Sequence, residues 1–218
     1  MFTTSGPRRA KMNVVRTDTK VIGIPYHRLD EATDLLARAF ESDPVIAIFV
    51  PHDRTDRLRV LRELFRYSCM ARLTRTQPVI GLEYDNRIVG VSLLLTPYSP
   101  AGTNLLERQW ERTKQAIGEE SVRLLEEFVA AREEFLPPRS HHVLTVMGVD
   151  PKYQKMGFGR ESIEATLEIA RGDMVSCGVV LDTTGKKNVA FYELNGFKVV
   201  GSKEFHGVPV VYMYYAIR

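Results

Sequence analysis

Val149-Asp150-Pro151-Lys152-Tyr153-Gln154-Lys155-Met156-Gly157-Phe158-Gly159-Arg160 decides how this chain is read. The apolar run Val143 to Val149 leads into it as a strand. Behind it, Ile163, Leu167, Ala170 and Met174 recur at helical spacing, which predicts a helix from Gly157 to about Met174. Two glycines at the opening of that helix let consecutive backbone N–H groups approach an anion closely. The helix N-terminus adds unpaired donors and the positive end of its dipole. Lys155 and Arg160 bring positive charge to the same place. The stretch has the make-up of a cradle for a phosphate or diphosphate.

Two other phosphate-binding motifs compete for these residues. Gly157, Gly159 and Ser162 mimic a dinucleotide fingerprint, with Asp182 at a strand end 25 residues beyond Gly157. That fold needs its first glycine in the tight turn directly after the strand, whereas seven residues intervene here. Only 59 residues follow Gly159, too few for the rest of such a sheet. A P-loop is excluded because the chain has no Gly-Lys-Ser/Thr.

Outward from the loop, strand and helix alternate. Gly178 to Asp182 reads as a strand, Asn188 to Leu194 as a short helix, and Phe197 to Phe205 and Val208 to Ile217 as two more strands. Upstream, Val79–Tyr84 and Ile88–Leu95 flank the turn-prone Asp85-Asn86-Arg87 as a hairpin. Helices are expected at Glu31–Glu41, where Asp30 is a candidate N-cap, and from about Thr55 to Arg72, with Leu58, Leu61, Phe65 and Cys69 on one face. The segment Asp43-Pro44 breaks the first helix, and Val45 to Val50 is a short apolar run. Residues 103–136 read as two helices split near Gly118, with Leu106, Trp110, Thr113 and Ile117 lining one and Val122, Leu125, Val129 and Phe135 the other. The fold class is therefore α/β (α+β), a mixed sheet, parallel where a helix crosses over and antiparallel at its ends.

Composition narrows the function. The chain has 218 residues, 44% hydrophobic and 26% charged, enough to bury a full core without staples. Thirty basic and twenty-seven acidic residues give a net charge of +3. Arg8, Arg9, Lys11, Arg16 and Lys20 against Asp18 put +4 in the first twenty residues, leaving about −1 for the rest. Residues 1–20 are read as a flexible basic tail and 21–218 as a single domain. A body with that balance gives no support for a nucleic-acid partner. The longest apolar run, Val210–Ile217, is far short of the roughly 20 residues of a membrane helix, so no membrane span is expected. Two cysteines, Cys69 and Cys177, make neither a disulfide framework nor a zinc site. A reducing, cytoplasmic compartment is expected, although the basic start also has the composition of a mitochondrial transit peptide.

Gln154-x-x-Gly157-x-Gly159 resembles the Gln/Arg-x-x-Gly-x-Gly/Ala signature of the GNAT superfamily of acyl-CoA-dependent N-acetyltransferases. Leu144 to Pro151 resembles the strand preceding that signature, and Asn188 to Phe197 the later Asn…Tyr-x-x-x-Gly-Phe element. Ala39 to Pro44 and the helix beginning near Arg57 resemble the start of these proteins. The resemblance covers roughly residues 25–217. Residues 97–137 match no shared motif and form a helical insertion.

The resemblance implies a largely antiparallel twisted sheet with a central splayed parallel pair. It implies acetyl-CoA as co-substrate, with no metal. Backbone groups of Met147 and Val149 would pair with the pantetheine arm. Gln154, Lys155, Met156, Gly157, Phe158 and Gly159, with Arg160, would hold the diphosphate. Asn188 would contact the pantetheine or its thioester end, and Tyr192 would sit near the sulfur.

The implied reaction is direct attack of an amine on the thioester, through a tetrahedral intermediate. The amine, an ammonium of pKa near 10 when free, must lose a proton. The N–H of Met147 or Gly148 is a candidate oxyanion donor and Tyr192 a candidate acid for the thiolate. For the base, His141 or His142 has a suitable pKa, and only one of the two can face the substrate. Glu83 is a second candidate, acting through a water. Thr145 departs from the family, where an acidic residue is common. Gly148 within a strand predicts a bulge or close ligand approach. Asp182 reads as a turn former or a cleft residue, and Glu41 and Asp43 as helix-terminating residues or binders of a cationic amine. Both cysteines read as buried small hydrophobes.

The acceptor is expected to be a small-molecule amine, recognised by residues 43–52, the 97–137 insertion and the His206-Gly207 turn. These offer Phe49, His52, Tyr98, Phe205 and His206. A non-catalytic acyl-CoA-binding sensor or scaffold is the alternative. A monomer or a homodimer is expected; as an edge strand, Val210–Ile217 could pair with a second copy.

Overall fold

The computed structural model describes residues 18–98 and 100–218. Most of the expected basic tail therefore lies outside the described residues. The elements run β1 (Lys20–Gly23), α1 (Leu29–Ala39), α2 (Pro44–Phe49), α3 (Arg57–Leu73), β2 (Val79–Tyr84), β3 (Arg87–Leu95), α4 (Asn104–Ile117), α5 (Glu119–Ala131), β4 (His142–Val149), α6 (Phe158–Gly172), β5 (Gly178–Thr184), α7 (Lys186–Leu194), β6 (Lys198–Phe205) and β7 (Val208–Ala216). Seven strands form one sheet in the order β1-β2-β3-β4-β5-β7-β6. Every neighbouring pair is antiparallel except β4 and β5, which are parallel.

Helices cover both faces of the sheet. On one, Leu35 and Leu36 of α1 and Leu61 and Phe65 of α3 pack with Val91 and Leu93 of β3, and α4 and α5 extend the same core through Leu106, Ile117, Leu124 and Phe128. On the other, Ile163, Leu167 and Ala170 of α6 pack with Leu94, Leu144, Val179 and Leu181. This is why β3 is buried continuously from Ile88 to Leu94.

Several boundaries move for identifiable reasons. Val45–Phe49 is helical because the Asp43 carboxylate caps it, Oδ1 accepting from the N–H groups of Val45 and Ile46 at 2.9 Å each. Val210–Ile217 is no edge. Strand β7 lies between β5 and β6, and β6 carries the free edge, so the expected pairing of a second copy there has no basis. Leu58 is 37% exposed because α3 turns Arg57, Val60, Leu61 and Leu64 inward instead. In α4 the buried stripe includes Gln109, while Trp110 packs on Tyr67 with ring centroids 4.6 Å apart.

Candidate active site

The parallel pair is joined only briefly. His142, Val143 and Leu144 pair with Val179, Val180 and Leu181, and beyond Leu144 the two strands have no register. Strand β3 follows β4 on its other side up to Val149, with a register shift between Leu93 and Leu94 that leaves Thr145 as the extra residue. The bulge thus lies at Thr145. Gly148 has a different reason: a Cβ there would stand 2.9 Å from Leu36 Cδ2 and 3.1 Å from Ala39 Cβ, so α1 occupies that face. The Asp150 N–H donates to the Val89 carbonyl at 2.9 Å, toward β3. Counting back by twos, the peptide groups of Gly148 and Val146 also face β3, and those of Met147 and Val149 face the gap. Of the two oxyanion candidates, the N–H of Met147 is the one on the open side.

At the far end of β4 the chain turns into α6. Asp150 stops the strand: its carboxylate takes the Arg38 guanidinium at 2.6 Å and the Lys152 N–H at 2.9 Å. Gln154 folds back, donating from Nε2 to the Val149 carbonyl at 3.2 Å. Gly157 caps α6 at φ 99°, a left-handed conformation that glycine adopts without strain, and Lys155 is also left-handed at φ 62°. The Phe158 side chain is buried with Leu82 and Val89, which anchors the helix start and leaves its backbone N–H as what it can offer an anion.

A cavity of about 420 Å³ opens where β4 and β5 part. Thr145, Val146 and Met147 line one side and Asp182, Thr183 and Thr184 the other, with Asn188 and Tyr192 of α7 between them. Phe40 just after α1 and helices α2, α3 and α5 complete the wall. Burial and the nearby Asp182 charge raise the Tyr192 hydroxyl pKa above its ordinary value, so it stays protonated at neutral pH. Burial also raises the Asp43 carboxyl, outweighing the two N–H bonds it accepts, and Asp182 adds to the rise. Asp182 itself is ion-paired with Arg132 at the end of α5, whose Nε donates at 2.7 Å. Arg72 of α3 reaches across to Thr145, Nη2 donating to Oγ1 at 2.7 Å.

The model of the acetyltransferase (GNAT) family matches residues 34–197. The chain belongs to this family. Among solved structures, a histone-acetyltransferase-related acetyltransferase from Corynebacterium glutamicum superposes with a TM-score of 0.67 at 20% identity, covering 91% of this chain and 96% of that one. The Drosophila melanogaster polyamine N-acetyltransferase gives 0.61 at 15%, covering 92% and 100%. The C-terminal condensation domain of Ebony gives 0.61 at 13%, covering 91% and 99%. At these identities the GNAT fold is what is shared. No curated protein sequence matches the chain significantly.

Within this GNAT domain the sequence-predicted residues divide. Met147, Asn188 and Tyr192 line one cavity, and Val149 and residues 154–160 border its strand and helix. His142 stands apart from it. It is 1% exposed at the first rung of the parallel pair, Nδ1 2.8 Å from Ser176 Oγ and Nε2 3.6 Å from Asp173. Glu83 lies on β2, two strands from β4, ion-paired with Arg28 and outside the cavity lining. His141 bonds the Arg139 carbonyl at 2.8 Å. Segment 43–52 and the insertion do line the cavity, through Asp43, Val45, Ile46 and Phe49 and through Leu125, Phe128, Val129 and Arg132, but of the five side chains named for the acceptor only Phe49 does. Phe205 packs behind it against Phe128, Tyr98 is 77% exposed, and His206 sits 3.5 Å from Glu127. Glu41 is exposed, and its carbonyl holds Arg57. Both cysteines are buried, and burial pushes the Cys69 thiol up to about 12. The reading of the sequence missed Arg72. It continues the α3 stripe at three residues past Cys69 and seven past Phe65, a signal its charge concealed. Among the described residues no cluster of His, Cys, Asp or Glu could hold a metal, and no helix is long and apolar enough to cross a membrane.

Proposed function

We propose that this GNAT protein is an N-acetyltransferase that moves an acetyl group from acetyl-CoA to the amine of a small molecule. The observation that carries the reading is the parting of β4 from β5 beside the start of α6. A pantetheine arm suits that gap, because its amides can pair with the Met147 and Val149 peptide groups as an added strand would. A diphosphate suits the turn at 154–160, where Gly157 and the first N–H groups of α6 offer donors beside Lys155. Acetyl-CoA supplies the activated acyl carbon. The amine nitrogen bonds to that carbon, the C–S bond breaks, the amine gives up a proton and the sulfur takes one.

Each demand has a group on the cavity wall. The N–H of Met147, on the open side of β4, is the donor for the developing oxyanion in this scheme. Tyr192, held protonated, can donate to the departing sulfur. Asp43, a carboxylate with a pKa raised by burial, is the group that takes the amine's proton. His142 and Glu83 have no part in this scheme. The polyamine acetyltransferase of the same fold acts, by its name, on amines, which agrees with an amine acceptor here.

The first experiment is a melting series with acetyl-CoA, CoA, NAD and NADP, followed by free-thiol detection with an amine panel. At 100 times its dissociation constant a ligand stabilises by about 2.7 kcal/mol, a shift of a few degrees. A shift with the CoA compounds and thiol release with an amine are expected. Tyr192→Phe should lower kcat by about 10- to 100-fold and leave the CoA shift intact. No shift with any CoA compound overturns the reading. A shift without turnover of any amine makes the protein an acyl-CoA-binding module instead.

A further inference from the structure

We infer that the amine acceptor carries a carboxylate, held by Arg72, so that the substrates are amino acids and amines of that kind. The inference rests on the N-acetyltransferase reading and gives its acceptor a chemical class.

Helix α3 is rich in arginine, and most of its arginines are matched. Arg59 pairs with Asp56, Arg62 with Asp34 and Arg66 with Asp30, all toward solvent. Arg57 turns inward onto the Glu41 carbonyl at 2.9 Å. Arg72 also turns inward, but onto the cavity. Its Nη2 donates to Thr145 Oγ1 at 2.7 Å and its Nη1 to the Ser68 carbonyl at 3.3 Å, while its Nε is buried with no partner. Among the described residues no carboxylate pairs with it. Burial lowers its pKa to about 10, and the cations acting on it, Arg132 and Arg75, add to that.

Arg72 is half-buried, its Nε is shut off from water with no partner, and a guanidinium so placed without a counter-ion is costly. Supporting the Thr145 bulge would need one donor and no charge. Neither acid of the cavity pairs with Arg72: Asp182 is ion-paired with Arg132, and Asp43 caps α2 through Oδ1. Arg75, on the same wall, has no ion pair among the described residues. Arg57, buried with its Nη1 also unpartnered, is turned onto a carbonyl away from the cavity, whereas Arg72 faces the cavity and can take its negative charge from a ligand there. The diphosphate cradle lies at the other end of β4, which leaves the acceptor to bring it. A guanidinium fork matches a carboxylate in shape. An acceptor with its carboxylate toward Arg72 and its ammonium toward Asp43 has both charges met. Phe40, Phe65, Tyr67 and Phe128 on the cavity wall suit an apolar or aromatic body between them.

The test compares phenylalanine, leucine, methionine and glycine with their C-terminal amides and with the amines lacking the carboxyl, by free-thiol release. The acid should exceed its amide and amine at least tenfold in kcat/KM. In Arg72→Gln that preference should shrink to about twofold or less, with the CoA-induced melting shift unchanged. Arg72→Lys should keep part of it. A readout without turnover uses the products. With CoA bound, N-acetylphenylalanine should raise the melting temperature of the wild type, N-acetylphenethylamine should not, and Arg72→Gln should respond to neither. Turnover confined to amides and simple amines, or a preference that survives Arg72→Gln, overturns the inference and leaves the acetyltransferase reading standing. Turnover of no acid, amide or amine removes that reading and this inference with it.

Discussion

Asp43 illustrates how one side chain can cap a helix and face the cavity together. Its Oδ1 closes the N-terminus of α2, and the same carboxyl lies on the cavity wall with its pKa raised by burial. A carboxyl whose folded pKa is raised contributes stability below its unfolded pKa and loses that contribution as pH rises through the folded value. At neutral pH its charge is therefore a burden to the fold. Asparagine caps as well as aspartate, so Asp43→Asn should melt at the same temperature or slightly higher at pH 7, while kcat falls by about 100-fold or more. A pH–rate profile of the wild type should show an acid limb above the ordinary carboxylate range. Asp150 has the opposite sign. Burial alone would raise it, but the Arg38 guanidinium and the Lys152 N–H hold it lower. Its contribution is present above the ordinary aspartate pKa near 4 and fades as pH falls below that value. Acid denaturation of Arg38→Met should accordingly lack part of the wild type's loss in that range.

Among the elements, those with a strict period were legible before any coordinates. Strand β4, helix α6 and the Val79–Leu95 hairpin stand within a few residues of where apolar spacing and turn chemistry put them. Misread elements share a cause, which is that tertiary partners decide them. Strand β1 is four residues long and exists through its pairing with β2. In α5 the buried residues are Leu124 and Phe128, and Val129 is 50% exposed, because the helix meets Phe49 of α2 and Phe205 of β6 with a face one residue away from its apolar stripe. The candidate site was legible in outline where one continuous stretch of chain forms it, as at 147–160, and illegible where distant side chains meet. Nothing local to Arg72 says that Thr145 is its neighbour, and nothing local to His142 says that Ser176 is. Gly148 shows how tightly β4 is held against α1. Gly148→Val would drive a branched side chain into Leu36 and Ala39, costing about 1–3 kcal/mol by overpacking. Urea denaturation with an unchanged m-value would confirm it.

At the scale of the molecule, the 104–131 helices are fastened to the C-terminal half of the sheet. Arg132 grips Asp182 of β5, and the Phe135 ring stacks on Tyr212 of β7 with centroids 4.0 Å apart. The ion pair is largely withdrawn from solvent, with side chains 10% and 13% exposed. Arg132→Met leaves Asp182 uncompensated and should destabilise by about 3–5 kcal/mol. Arg132→Met with Asp182→Asn should recover much of that loss in a chemical-denaturation cycle. Between β1–β4 and β5–β7 the strands are paired over three residues, His142, Val143 and Leu144, with one more backbone bond from the Cys177 N–H to the Ser140 carbonyl at 2.8 Å. A sheet so nearly cut in two is completed by whatever fills the cut. Amide hydrogens of Met147 and Val149 should exchange freely in the empty protein and slow sharply once the gap is filled. Slowing at β5 as well would mean that the two half-sheets, loosely coupled on their own, breathe as a single body only while the gap is filled.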